Sequence, residues 1–254
     1  MTTNPRPPTK FSLPPTFFDT DGNRIHNELL VGLPAKESQI LFPRLEFVRL
    51  PTHHVLHEPG DTLKSGFFCN SGLVSILSVF PDGKSVEVGL VGKEGFVGLP
   101  MLAGFRSAST QALVQIEATA FRMNRETLIN ILRQCPALER RLQQFGQMMT
   151  VQTMQIAACN RLHDVDQRLA RWLLMTADRI ESNSVPLTQE FLAHMLGTRR
   201  SSVTVAAGIL QKAELISHSR GDLEIINRPK LEDAACECYG ILRRQIEKWL
   251  GEVE

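Results

Sequence analysis

The stretch Leu196–Leu210, LGTRRSSVTVAAGIL, opens on a glycine turn, two arginines and two serines, then becomes apolar. Thr198 stands where the hydroxyl of a helix N-cap is expected, which places Arg199, Arg200, Ser201 and Ser202 in the first turn. Cations at a helix N-terminus oppose the helix dipole, so their presence there points to an anionic partner. Val203, Ala206, Ile209 and Leu210 recur at helical spacing and form a face that docks the helix on its own domain. An arginine in such a first turn can pair bidentately with guanine O6 and N7, and serines can reach phosphates or base edges.

Working outward, Pro186 begins a compact series. It comprises a helix over about residues 188–196, a turn at Gly197, a second helix over about 199–213, and two short strands around SRGD. This is a winged helix-turn-helix in outline. Thr188 and Gln189, at the start of the first helix, are placed to hold a phosphate, and His218 and Arg220 on the wing to reach the backbone. Residues 186–230 hold six Lys/Arg against four Asp/Glu, so pattern rather than net charge indicates double-stranded DNA as the partner.

Upstream, Asn124 is placed to cap a helix over RETLINILRQ, and Pro136 to begin the next one, where a missing N–H costs nothing. Along that second helix Cys135, Leu138, Leu142, Phe145, Met149, Gln152, Ile156 and Cys159 follow one another in alternating steps of three and four. That is the spacing of a coiled-coil seam, with Gln152 as a polar register-setting member, and it predicts a parallel homodimer. Cys159 would then face its own copy, most simply as an inert buried thiol.

Between about Leu41 and Met123 short β-type runs alternate with turn residues. The clearest hairpin signal is Asp82-Gly83 in LSVFPDGKSVEVGLV. The fold class is therefore α+β: an N-terminal antiparallel barrel or jelly roll, a long helix, and a C-terminal winged helix-turn-helix. We expect a flexible tail over 1–20, a sensor barrel over 21–134, a dimerisation helix over 135–162, and a DNA-binding domain with a C-terminal helix over 163–254.

Composition agrees with this division. Hydrophobic residues make up 43% and charged residues 22% of 254, with a net charge of +1, so any nucleic-acid surface must be local. The proline-rich start lacks an apolar run of signal-peptide length, and no later run is long enough to span a bilayer, so a cytoplasmic protein with no membrane partner is expected. Five scattered cysteines suit reduced thiols, and Cys236-x-Cys238 lacks a second half of zinc-site spacing, so no metal site is expected. No catalytic residues are assigned. A metal-dependent enzyme on a cupin-like barrel needs alternating histidines, a carboxylate and a later histidine, whereas THHVLHEPGD offers adjacent and three-apart histidines. A structural adaptor would leave the arginine-bearing helix tip unexplained.

The segment PLTQEFLAHMLGTRRSSVTVAAGILQKAELISHSRGDLEIINRPKLE resembles the DNA-binding domain of the Crp-Fnr family of bacterial transcription regulators. EPGD (58–61), NSGLVSI (70–76), Asp82-Gly83 and GKEGFVG (92–98) are similar to that family's cyclic-nucleotide-binding barrel. The resemblance spans residues 27 to 231 or so. It implies a dimeric regulator in which barrel occupancy repositions two recognition helices, with RNA polymerase as a further partner. It also assigns base reading to Arg200, although Ser201 stands where a glutamate often follows and Val205 where a second basic residue is sometimes found. The family's cyclic AMP sites use Gly-Glu for the ribose and Arg-Ser for the phosphate. Here the first pair reads Gly98-Leu99, and Arg106-Ser107 comes two residues early. Thr150, Gln152 and Thr153 complete the effector candidates on the helix side. The expectation is a small-molecule effector other than cyclic AMP, or an effector-independent regulator. Iron–sulfur members carry cysteines before the barrel, and none precedes Cys69; His53, His54 and His57 are haem candidates by residue type alone, so no cofactor is expected.

Overall fold

Two long strands organise the N-terminal half of the computed structural model, which describes residues 17–219 and 222–253. In chain order these residues form β1 (Phe17–Phe18), β2 (Arg24–Ile25), α1 (Ala35–Leu41), β3 (Glu46–Leu50), β4 (Val55–His57), β5 (Ser65–Val79), β6 (Ser85–Val91), β7 (Phe96–Val97) and β8 (Gln111–Asn124). Then follow α2 (Arg125–Leu132), α3 (Pro136–Leu162), α4 (Val165–Ile180), β9 (Ser184–Pro186), α5 (Gln189–Met195), α6 (Arg200–Lys212), β10 (Ile216–Ser219), β11 (Asp222–Ile225), α7 (Arg228–Ala234) and α8 (Cys238–Val253). The expected tail is shorter than drawn, because Phe17–Phe18 pairs with Arg24–Ile25; residues 1–16 lie outside the described residues.

β5 and β8 are the spine of an antiparallel six-stranded sheet in the order β3-β8-β5-β6, with β4 on β8 and β7 on β5. Register shifts between Cys69 and Val74 bend this pair around the core. Gly72 sits there at φ 74°, and a Cβ would stand 2.2 Å from Glu117 O, so no other residue fits. Asp82-Gly83 makes the β5–β6 hairpin, and Asn124 Oδ1 caps α2 by accepting from Glu126 N at 2.8 Å. Phe68, Phe96 and Phe121 fill the sheet's interior, and Leu138, Leu142 and Phe145 of α3 extend it.

This burial corrects the expected dimer seam. Leu138, Leu142, Phe145, Met149, Gln152, Ile156 and Cys159 are all buried within a single chain, Leu138, Phe145, Gln152 and Cys159 completely. The seam is real as a periodicity, but it faces the protein's own sheet and α8, whose Trp249 ring lies 5.8 Å from that of Phe145. A heptad stripe records that one face is buried, not what covers it. The expected single C-terminal helix is likewise two helices, broken near Cys236. Ile246, Trp249 and Leu250 of α8 join the sensor core, while Tyr239 and Leu242 join a second core.

That second core belongs to α4, α5, α6, α7 and the three-stranded sheet β10-β11-β9. Leu73, Leu77 and Leu90 of the N-terminal sheet also enter it, so α4 with its buried Trp172 is packed between the two halves.

Candidate nucleic-acid interface and sensor cavity

The turn between α5 and α6 is set by backbone chemistry. Gly197, at φ 57°, takes the left-handed position after α5; its N–H donates to His194 O at 3.2 Å, and Thr198 N–H donates to Ala193 O at 3.0 Å. This paired closure ends α5 and commits Thr198 to it. The N-cap of α6 is therefore Arg199, one residue later than expected, with no side-chain cap. The Arg168 guanidinium donates to Leu196 O and fixes the turn to α4.

Val203, Ala206, Ala207 and Leu210 anchor α6, whereas Ile209, expected on that face, is 50% exposed. Arg199, Arg200, Ser201, Thr204 and Val205 are exposed, and Ser202 is half-buried. Thr188 caps α5 by accepting from Phe191 N at 3.2 Å, so its hydroxyl oxygen already serves the helix. Thr204 Oγ1 donates to Gln189 Oε1 at 2.8 Å, bringing Gln189 against the recognition helix one turn beyond Arg200. Sequence reasoning missed Thr204, although its i+4 spacing from Arg200 was the available signal. His218 pairs with Leu223 in the β10–β11 hairpin; its side chain and Arg220 lie outside the described residues. The first turn of α6 borders a cleft of about 1380 Å³ whose other wall is the β5–β6 hairpin, and a Cβ on Gly197 would stand 2.8 Å from Val86 Cγ2.

A second cavity, of about 750 Å³, lies between the sheet and α3. Gly98, Leu99, Ser107, Thr150 and Thr153 all line it, as do His57 and Met154. Two expected members do not. Arg106 is exposed and outside the lining, and Gln152 turns away, donating through Nε2 to Leu90 O at 3.2 Å. Thr153 Oγ1 donates to Val88 O at 2.9 Å and Thr150 Oγ1 to Gly146 O at 3.0 Å, leaving both oxygens able to accept. No lysine or arginine is among the described lining residues, and burial lowers the pKa of His57, which favours its neutral form.

Family models match both halves: the Cyclic nucleotide-binding domain over residues 47–135 and the Crp-like helix-turn-helix domain over 167–234. The chain belongs to the Crp-Fnr family of transcription regulators. No curated protein matches it in sequence. Among solved structures it is similar to a c-di-GMP-responsive global regulator of Xanthomonas campestris. The identity is 18% and the TM-score 0.65, over 76% of this chain and 99% of that one. It is similar also to FixK2 of Bradyrhizobium japonicum (14%, TM-score 0.65, 76% and 98% covered) and to a Crp-family regulator of Thermus thermophilus (18%, 0.65, 74% and 96%). At these identities the likeness is one of fold. No helix among the described residues is long and apolar enough to cross a membrane.

In this Crp-Fnr chain the two domains are joined by buried polar contacts. Arg179 of α4 donates through Nε to Glu94 at 2.7 Å, both side chains under 8% exposed, and through Nη2 to Gln152 Oε1 at 3.0 Å. Glu94 lies in the GKEGFVG motif, so sheet, long helix and α4 meet in one network. Nearby, Trp172 Nε1 donates to Glu87 at 2.9 Å and Ser75 Oγ to the same carboxylate at 2.8 Å. Burial outweighs these bonds and pushes Glu87 from an ordinary 4.5 up to about 7.

The cysteines depart furthest from expectation. Cys159 Sγ lies 3.4 Å from Cys236 Sγ of the same chain rather than facing a second copy, and Cys238 Sγ is 3.6 Å from His163 Nδ1. Cys159 and His163, far upstream in sequence, thus stand beside the Cys236-x-Cys238 pair.

Proposed function

We propose that the protein is a dimeric, cytoplasmic, sequence-specific DNA-binding regulator of transcription whose cavity takes a small ligand other than cyclic AMP. The observation that carries the DNA reading is the exposed row Arg200, Ser201 and Thr204 on a helix whose opposite face is wholly buried. Arg200 would read a guanine edge while Arg199, Ser201, Ser202 and Gln189 position the backbone. In an activator, RNA polymerase would be the further partner.

Dimerisation needs a face of α3 that is free. Gln143, Gln147, Thr150, Met154, Ala157 and Arg161 are exposed, in steps of four and three along one side. A partner helix laid there would set two recognition helices about one DNA turn, roughly 34 Å, apart. It would also cover the mouth of the cavity, because Thr150 and Met154 belong both to the stripe and to the lining. Ligand occupancy and helix packing would then be coupled, and the ligand must bind the DNA-competent packing better than the other.

With no lysine or arginine among the described lining residues, the cavity suits an uncharged, largely apolar molecule held by hydroxyls better than a cyclic phosphate. Selection from random duplexes followed by mobility shift tests the first half; retention of no duplex even at low salt would end the DNA reading. Thermal melts test the second. A ligand at about 100 times its Kd stabilises by about 2.7 kcal/mol, so melts with cyclic AMP, cyclic GMP and cyclic di-GMP should stay flat. A shift with any of them would return Arg106 to the site.

A further inference from the structure

Three cysteines and a histidine, separated by up to 79 residues in sequence, converge at the junction of the two domains. Cys159 occupies the last turn of α3, His163 is the residue that ends that helix, and Cys236 and Cys238 flank the start of α8. One ligand atom from each lies within 4.8 Å of every other. All three thiols are buried, and none forms a disulfide. We infer that Cys159, His163, Cys236 and Cys238 form a structural zinc site that ties the C-terminal helix to the hinge between the sensor and DNA-binding domains.

The dimensions fit one tetrahedral ion. With Zn–S near 2.3 Å, sulfurs in a tetrahedron stand about 3.8 Å apart. The observed 3.4 Å between Cys159 and Cys236 needs an adjustment of a few tenths of an ångström, and the 3.6 Å from Cys238 to His163 already matches a sulfur–nitrogen edge. The wider separations, which reach at most 4.8 Å, close by up to about 1 Å when the four side chains turn onto the ion. A cluster of several irons, each with its own terminal ligand, would spread the four groups further. Three thiolates and an imidazole are a soft set suited to zinc, and four protein ligands leave no open position, which marks a structural rather than a catalytic centre.

The surroundings are built for an anionic site. Glu237 lies 3.1 Å from His163 Nε2, so that nitrogen keeps the proton and Nδ1 turns its lone pair toward the sulfurs. Gln155 Nε2 donates to Cys238 Sγ at 3.0 Å. Arg171, 2% exposed, acts electrostatically on both Cys159 and Cys236, and its Nε has no hydrogen-bond partner among the described residues. Loading Zn²⁺ would release the three thiol protons to solvent and leave one net negative charge, which Arg171 offsets. A disulfide between Cys159 and Cys236 would use two of the four groups and leave His163, its Glu237 support and Cys238 without a role.

The inference is independent of what the helix-turn-helix binds. The test is elemental analysis of the full-length protein, purified under reducing conditions without chelator and then dialysed against Zn²⁺. One zinc per chain is expected, lost in Cys238→Ser and His163→Ala and retained in the surface control His54→Ala. Should a cysteine variant fail to fold, Co²⁺ loaded into the unmodified protein decides the matter. A tetrahedral thiolate site gives intense visible d–d bands and sulfur-to-cobalt charge transfer. Chelation should lower Tm in the unmodified protein and leave that of His163→Ala unmoved. A folded protein that takes up no stoichiometric zinc, zinc retained equally by both ligand variants, an octahedral cobalt spectrum, or a Cys159–Cys236 disulfide in the reduced preparation would each overturn the site.

Discussion

Arg200 opens α6 on its exposed face, one turn before Thr204, which is itself bonded to Gln189. If Arg200 reads a guanine, Arg200→Ala should cost about 1–3 kcal/mol of operator affinity and relax specificity at one base position. Titration against matched and singly substituted operators measures this, and an unchanged specificity profile would refute the assignment. Glu87 sets a different test. Its carboxyl is raised from 4.5 to about 7 by burial, so between those values the folded protein holds a proton that the unfolded chain has lost. Stability from this group is fully present below about pH 4.5 and falls as pH rises through 7, by up to about 3 kcal/mol. Urea midpoints across pH 5–8 should show that slope, and Glu87→Gln should flatten it while keeping an acceptor for Trp172 Nε1.

Helix α3 has two faces with opposite duties. The buried one is sealed by α8, so Trp249→Ala should cost about 3–5 kcal/mol by removing the aromatic partner of Phe145. Chemical denaturation reads this directly. The exposed face carries Met154 at 66% exposure among the described residues. Met154→Glu should therefore leave the unfolding midpoint of the protomer nearly unchanged while splitting a dimer into monomers in sedimentation velocity. Were the buried seam the dimer interface, Met154→Glu would have no effect on the oligomeric state.

At the scale of the whole molecule, the Glu94–Arg179–Gln152 network is a buried polar link between sensor and reader. Removing one member of a buried ion pair strands the other, so Arg179→Met should cost about 3–5 kcal/mol. The double variant Glu94→Gln with Arg179→Met should recover part of that loss. A double-mutant cycle in urea would give a coupling of roughly 0.5–3 kcal/mol; additive costs would show that the two groups act apart.

Local patterns determined much of this protein. A glycine turn followed by two arginines, the Asp82-Gly83 hairpin, the Asn124 cap and the Pro136 helix start depend on neighbours a few residues away, and each was legible from the chain alone. Thr198 was misplaced by one residue because both a helix end and a helix start competed for it, and backbone hydrogen bonds settled the contest. What tertiary structure alone decided involves partners distant in sequence. The seam of α3 marked a buried face, but its covering by the sheet and α8 depended on where residue 249 returns. Gln152, read as seam and as ligand contact, was claimed instead by Leu90 and Arg179. Cys159-x3-His163 and Cys236-x-Cys238 are each half a metal site, and neither half carries the signal by itself. Periodicity reports which side of an element is hidden; only the folded path of the chain determines what hides it.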